Sequence, residues 1–556
     1  MTPDHRDGTP PRQTPAASDR FLMLSNQTLR RLNRRRFVGG AAALGAALVV
    51  GSHATRLASA QETESILIGT LGEATSINPF AASESEGLWR CKMLFDEFVR
   101  ANVEDYSPQP GLAAEWTNEE LTYTFTLQPN AKFADGSDVT AEDVAFTIRG
   151  HLTKATASPW SSKYLGIEGA QAFFDGTAQD VTGIQVIDPK TLRITLAGPE
   201  APFLYNLRYI FVVPAAQLQG KNLTNDPWFQ KPVGAGPYVF ESWTRDQDFV
   251  ATANPNYWQQ GKPEIPRLTH RVIADSQSLV LALQGAEIDA SNYPNPAAKE
   301  QLEQVEGLTV MAPPFGSPNG WMFNCTHEQL AKPEVRRAIA MALDTEQFAA
   351  TSLLGLGGAG LGPISPESWA FDPTLEPIPF DPAAAREMIA AAGAEGTQLR
   401  FNVNQGNIFR EDWLTYTQQA LQEIGIEVVP ELIEYTALVE QVEGGDYDVT
   451  GVDFVGVTAE PSELAEQFGT GASGNYMGYS NPELDELLRQ ARQTLDIEAA
   501  KPIYAQIQRI IMADVPMHFA WYRPFLHAVS DRFTGYTDSA AYGLFHTLED
   551  WSGPSA

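Results

Sequence analysis

The chain has 556 residues, with 38 Lys and Arg against 69 Asp and Glu, a formal net charge of -31 and a pI near 4.6. A body this acidic repels phosphates, which argues against nucleic acid and anionic lipid as partners, while 43% hydrophobic residues exclude a disordered acidic polymer. The length corresponds to three or four ordinary domains, or to one larger architecture whose lobes share chain segments.

The charge is unevenly placed. Residues 1–60 hold nine Arg, no Lys and only three acids, Asp4, Asp7 and Asp19. Arg34-Arg35-Arg36-Phe37 leads into an apolar, Ala/Gly-rich run from Val38 to Val50, and Ala58-Ser59-Ala60 reads as an A-x-A cleavage site before Gln61. The Arg34-Arg35 pair followed by Phe37 resembles a twin-arginine export signal. The apolar run falls short of the roughly 20 residues that a spanning helix needs. Residues 1–60 are therefore expected to be an export signal cleaved after Ala60, leaving a soluble and still more acidic body. Neither Cys91 nor Cys325 sits where a lipid-bearing cysteine would, so no lipid anchor is expected; two well-separated cysteines read first as buried free thiols, with one disulfide in an oxidising compartment as the alternative.

Along the body, Ile66 to Thr70 reads as a buried strand and Glu86 to Phe98 as a helix. Tyr123 to Leu127 alternates like a strand, Asp135-Gly136 marks a turn, and Thr140 caps a helix carrying Val144, Phe146 and Ile148. Thr269 to Ile273 is a predicted strand, followed by a helix capped by Asp275 and stopped by Gly285. A further helix starts at Pro333, and another runs from Asp381-Pro382 to Gly393. Strand Leu399 to Val403, helix Glu411 to Ile424, strand Ile426 to Val429, a helix from Thr436 and strand Tyr447 to Val452 then form a βαβαβ unit, which implies a parallel sheet with right-handed crossovers. Asn481-Pro482 starts one more helix. The chain reads as a mixed α/β body with two or more sheets.

Catalytic motifs fail on context. Gly355 to Gly360 satisfies G-x-G-x-x-G but follows a helical stretch and runs into Gly362-Pro363, so it lacks the strand and helix that a dinucleotide site needs. His327-Glu328 has Ala331 where a zinc helix needs its second histidine, and His518 and His527 match no metal spacing. No metal, no cofactor and no enzymatic chemistry is expected. What recurs instead is aromatic residues beside amides near predicted strand ends, where α/β proteins bind small ligands: Trp321, Phe323 and Asn324; Asn404 and Gln405; Asn475 and Tyr476; and Trp521.

These pieces also stand in a telling order. Leu71 to Pro79, Gly111 to Trp116, the stretch from Tyr123 to Val144, Pro232 to Tyr238, Asn254 to Trp258, Leu283 to Asp289, Val335 to Asp344 and Asp381 to Gly393 together resemble the extracytoplasmic solute-binding proteins of ABC importers, of the dipeptide/oligopeptide/nickel class known as family 5. The resemblance implies an α/β two-lobed clamshell. It would place the first lobe at residues 61–312, with an inserted subdomain near 84–228, the second at 313–525, and a C-terminal return at 526–556. The hinge would then lie near residues 313–319 and near Arg523.

By the same resemblance the mature protein would be a soluble, monomeric receptor, periplasmic or otherwise extracytoplasmic. It would capture a small-molecule ligand by lobe closure and deliver it to the permease subunits of an ABC importer. Peptides come first among ligands, then other peptide-sized solutes; the competing readings are a secreted hydrolase using a cleft carboxylate pair, and a metal or chemosensory receptor on the same scaffold. Peptide-binding members carry an acid for the peptide amine after the strand equivalent to residues 449–455. Here Val457 or Thr458 occupies that place, leaving Glu460 or Asp453 as the nearest acid. Arg410 is placed to receive a carboxylate. Glu73 and Phe454 complete the expected ligand contacts.

Overall fold

A computed structural model describes residues 65–553 apart from 105, 314–317, 454–459, 473, 523–524 and 540–542, and for 435, 436, 452 and 453 it describes the backbone only. Arg34, Arg35, Phe37, Ala58 and Ala60, expected in an export signal, Phe454, expected at the ligand, and Arg523, expected at a hinge, lie outside the described residues, as does the side chain of Asp453.

Strand Ser65–Thr70 buries Ile66 and Ile68 completely and nucleates a seven-stranded mixed sheet. In spatial order its strands are Leu308–Met311, His527–Ser530, Ala290–Ser291, Ser65–Thr70, Arg267–Val272, Asp248–Ala253 and Tyr238–Trp243. Ser65–Thr70 runs parallel to both of its neighbours, and every other pairing is antiparallel. The second sheet has six strands in the order Gly358–Ala359, Met517–Tyr522, Pro318–Phe323, Val449–Asp453, Gln398–Asn404 and Glu427–Ile433. The last three are mutually parallel, as the βαβαβ reading expects. The fold is thus a two-lobed α/β clamshell with one of these two sheets in each lobe.

Both connections between the sheets use neighbours. Leu308–Met311 pairs with His527–Ser530 in the first sheet, and Pro318–Phe323 pairs with Met517–Tyr522 in the second. The chain therefore leaves adjacent strands of one sheet and arrives on adjacent strands of the other. Gly320 stands just after this junction, beside a register shift, and a Cβ there would lie 1.8 Å from the His518 carbonyl oxygen.

The inserted subdomain carries a four-stranded antiparallel sheet, Ala113–Glu119, Thr122–Leu127, Thr191–Thr195 and Ile184–Asp188, packed on helix Ala141–Leu152. The Asp143 carboxylate starts that helix, accepting from the Thr140 amide at 2.8 Å and hydroxyl at 2.7 Å. Its other oxygen accepts from the Ala215 amide at 2.8 Å, tying the helix start to a distant loop.

Three elements differ from the sequence reading. The helix expected over 86–98 is Ser85–Phe95, because Asp96 turns out at φ 61 and spends its carboxylate on Arg100 and Trp258. The 18-residue helix Ile497–Asp514 was not anticipated; Asp496 caps it by accepting from Ala499 N, and Pro502 is accommodated within it. Strand Met517–Tyr522 was likewise not anticipated; all six of its residues are buried, so it carries no alternation. Both cysteines are free, and burial pushes the Cys325 thiol up to about 11. No helix among the described residues is long and apolar enough to cross a membrane.

Two expectations follow for stability. Gly320→Ala forces a backbone clash at the lobe junction and should lower unfolding stability by about 3 kcal/mol or more, read as a reduced urea midpoint; an unchanged midpoint would contradict the strand geometry. Burial also pushes the His151 and His518 imidazoles down to about 3. Between the ordinary imidazole range near 6.5 and about 3 the unfolded chain binds protons that the folded chain refuses. Stability is therefore complete above that range and falls as the pH drops, by up to about 1.4 kcal/mol per pH unit for each histidine. Thermal melts from pH 7.5 down to 4.5 should show the decline, and His518→Gln should shallow it.

Candidate functional site

The direction of the strands locates the site. In the first sheet Ser65–Thr70 is parallel to Ala290–Ser291, which is antiparallel to His527–Ser530, itself antiparallel to Leu308–Met311. Thr70 and Met311 therefore lie at the same end of the sheet, the end from which the chain crosses. In the second sheet Asn319 is paired with Asp453, and Gln398–Asn404 runs parallel to Val449–Asp453, so Asn404 also faces the crossing. The carboxyl ends of parallel strands in both lobes thus converge on the junction, the place where open α/β sheets bind ligands.

On the second lobe, helix Ile408–Glu423 starts beside Asn404, capped by the Asn407 side chain accepting from Arg410 N at 3.2 Å. This start brings the Arg410 guanidinium back over the strand ends. It donates to Asn404 Oδ1 at 2.8 Å and to Asn319 Oδ1 at 3.4 Å. Gly451 lies beneath this cluster, where a Cβ would come within 2.9 Å of Val403 Cγ1 and 3.3 Å of the Trp321 ring. Arg410 is 5% exposed. Gln405 is exposed at the adjacent turn. Asn319 was not foreseen; only its strand pairing with Asp453 reveals it.

On the first lobe, Glu73 follows the central strand and accepts from Arg90 at 2.6 Å, Trp243 Nε1 at 3.2 Å, Asp246 N at 2.8 Å and Ala74 N at 2.8 Å. Burial alone would raise its carboxyl, but these donors, led by Arg90, hold it below the usual range. Glu73 is therefore a structural anchor for Arg90, which is itself fully buried against the Trp243 and Phe249 rings. A groove of 560 Å³ opens nearby, lined by Asn78, Asp226, Phe229, Phe240, Trp243 and Arg245.

The aromatic candidates lie elsewhere. Trp321, Phe323 and Trp521 are at most 1% exposed and belong to the second-lobe core. The Trp321 indole donates to Thr417 Oγ1 at 2.9 Å and meets Phe401 edge to face, while Trp521 packs on Trp413 and Phe348. They were expected in the cleft, but central strands covered on both faces turn large side chains into the interior. Two amides are likewise spent on turns. Asn324 donates to Tyr447 O at 2.8 Å and accepts from Thr326, and Asn475 donates to Gly469 O and Tyr479 O. Tyr476 is partly exposed, and its carbonyl accepts from the Tyr447 hydroxyl. His327 accepts weakly from the amides of Gln329 and Leu330. Among the described residues no group of His, Cys, Asp and Glu is arranged to hold a metal.

Glu460 caps the turn Pro461–Glu463 by accepting from Ser462 N at 3.0 Å, and burial pushes its carboxyl up to about 7. It stands where the lobes touch away from the junction. There Lys163 of the inserted subdomain pairs with Glu463, and Glu200 with Arg492 at 2.5 Å. The lobes are therefore in contact here as well as at the junction.

Comparison with known proteins agrees with this architecture. The sequence profile described as bacterial extracellular solute-binding proteins, family 5 middle, matches residues 107–476, more than half of the chain. The oligopeptide-binding protein AppA of Bacillus subtilis is 27% identical over 516 residues, covering 88% of this chain and 92% of AppA. The periplasmic murein peptide-binding protein MppA of Escherichia coli is 27% identical over 469 residues, covering 80% of this chain and 85% of MppA. The AppA structure in complex with a nonapeptide superimposes with a TM-score of 0.77 at 24% identity, over 88% of this chain and 99% of AppA. MppA superimposes with a TM-score of 0.76 at 24% identity, over 89% of this chain and 99% of its own, and its unliganded open form with 0.68 at 23% identity, over 88% and 98%.

The buried placement of Trp521 makes a definite statement. Trp521→Ala should cost about 3–5 kcal/mol of unfolding stability through the cavity it leaves, visible in urea denaturation; an unaltered midpoint would return Trp521 to the cleft.

Proposed function

Because the chain belongs to the bacterial extracellular solute-binding proteins of family 5, we propose that it is the receptor of an ABC importer, taking peptides as its ligands. The convergence of both lobes' strand ends on one junction carries this reading. A ligand bridging the two ends is contacted fully only when the lobes are closed, so its differential affinity drives closure. The closed form is then what the permease subunits would recognise.

The second-lobe wall suits a peptide. Asn319, Asn404 and Gln405 offer amide donors and acceptors for peptide backbone, and Arg410, held in place by Asn404 and Asn319, favours a carboxylate. The strand end at Asp453 is the nearest place on this lobe for an acid that could meet a ligand amine. Support for the peptide class comes from the relatives, whose names specify oligopeptides and murein peptides. No chemical step is assigned, and the ligand is released unchanged. Residues 1–60 are proposed to direct export through the twin-arginine route, so that the mature chain works as a soluble monomer outside the cytoplasm.

Native mass spectrometry of protein taken from the extracytoplasmic fraction of its host should show added mass equal to short peptides. After stripping, tryptophan fluorescence should titrate saturably with those peptides, and Arg410→Gln should weaken binding about tenfold or more. Hydrolysis of the bound peptide, or undiminished affinity in that variant at preserved folding, would overturn the reading of the ligand or of the wall respectively.

A further inference from the structure

The contact between the inserted subdomain and the second lobe is far from the junction and is built from pre-positioned charges. Trp160 and Tyr209 stack with ring centroids 4.1 Å apart and planes 12° from parallel. The Lys163 amine lies 5.8 Å and 5.3 Å from these two ring centroids, so the first lobe contributes to its placement. Its partner is the Glu463 carboxylate of the second lobe. Burial pulls the Lys163 amine down, but the carboxylate more than compensates and holds it above its usual range.

The second pair is built in the same way. Glu200 is 9% exposed and lies over Gly166, where a Cβ would come within 3.2 Å of Glu200 Oε2. Burial raises its carboxyl, and Arg492 of the second lobe opposes that rise from 2.5 Å. Beside it the Ala201 amide donates to the Arg492 carbonyl at 2.8 Å. Arg492 stands in the last turn of helix Pro482–Gln493, whose terminal carbonyls have no partners within the helix. The inserted subdomain thus supplies a cap to a helix of the opposite lobe.

We propose that the inserted subdomain is a latch that holds the lobes shut without solute, through Lys163 with Glu463, Glu200 with Arg492, and the Ala201 amide on the Arg492 carbonyl. Opening returns these charges to water, which limits what each ion pair adds to the closed-to-open ratio to about tenfold. Solute then binds to an equilibrium already biased toward closure, and its apparent affinity reflects the latch as well as its own contacts. The latch also makes closure sensitive to ionic strength in a way that apolar lobe contacts would not.

This inference rests on the closing motion proposed above, so the test separates the two. Donor and acceptor dyes are placed at Gln185→Cys and Gln506→Cys in a Cys325→Ser background, and single-molecule energy transfer is read on solute-free protein. Lys163→Glu and Glu200→Arg should each lower the closed-to-open ratio about tenfold, and the swap Lys163→Glu with Glu463→Lys should restore it. Raising salt from about 0.05 M to about 1 M should open the unmodified protein in the same direction. Should a reversal fail to fold, Lys163→Met and Glu200→Gln take its place. Distributions that ignore these charges and the salt, in a protein that still closes on peptide, would overturn the latch alone. A protein that shows no second state under any condition would count against the closing motion itself.

Discussion

Everything in this molecule hangs on one constraint, that two sheets are joined only through strands that are neighbours at both ends. Leu308–Met311 and His527–Ser530 are paired in one lobe, Pro318–Phe323 and Met517–Tyr522 in the other. Adjacent pairs resist independent movement, because shifting one strand past the other would break its ladder of backbone hydrogen bonds. The lobes are thereby left with bending at the junction as their soft motion. The same constraint orients the parallel strands, so that Thr70, Asn404 and Asp453 all end where the lobes meet. Gly320 keeps the second pair close enough to start there.

The division between interior and cleft follows from how the second sheet is covered. Its central strands have packing on both faces, and so Trp321, Phe323 and Trp521 become core around Trp413 and Phe401. The polar side chains facing the junction stand at the strand ends and at the first turn of the following helix, where Arg410 folds back over Asn404 and Asn319. The cleft wall is therefore made by helix starts and strand ends, and the aromatic residues stabilise the frame that holds them.

Acidity plays two unequal parts. Exposed carboxylates add to the negative surface charge. A few others are placed, and each has a cation set against it: Glu73 with Arg90, Asp96 with Arg100, Glu463 with Lys163, Glu200 with Arg492. The first two hold a lobe together. The last two hold one lobe to the other, and they bring residues 300 and 292 positions apart into contact.

Much of the local structure was legible in the chain. The caps at Asp275, Asp381 and Asn481 depend on neighbours within a few residues and the βαβαβ unit on the alternation of strand and helix patterns, and the structure has each of them. Helix Ile497–Asp514 carried a helical spacing in Ala500, Tyr504, Ile507 and Ile511, yet Pro502 masked it. The site was less legible. Asn404 could be picked out as an amide near a predicted strand end and Arg410 for its closeness to that amide-rich loop, but Asn319 and the two interlobe ion pairs leave no mark in local sequence. The sequence by itself determined the elements, the fold class and the acidic character, since these arise from side-chain periodicity, turn chemistry and composition. Which aromatic faces inward, which carboxylate meets which cation, and which strand ends share a cleft were decided only by the tertiary structure, because those contacts join segments that are distant along the chain and become neighbours only when the sheets assemble.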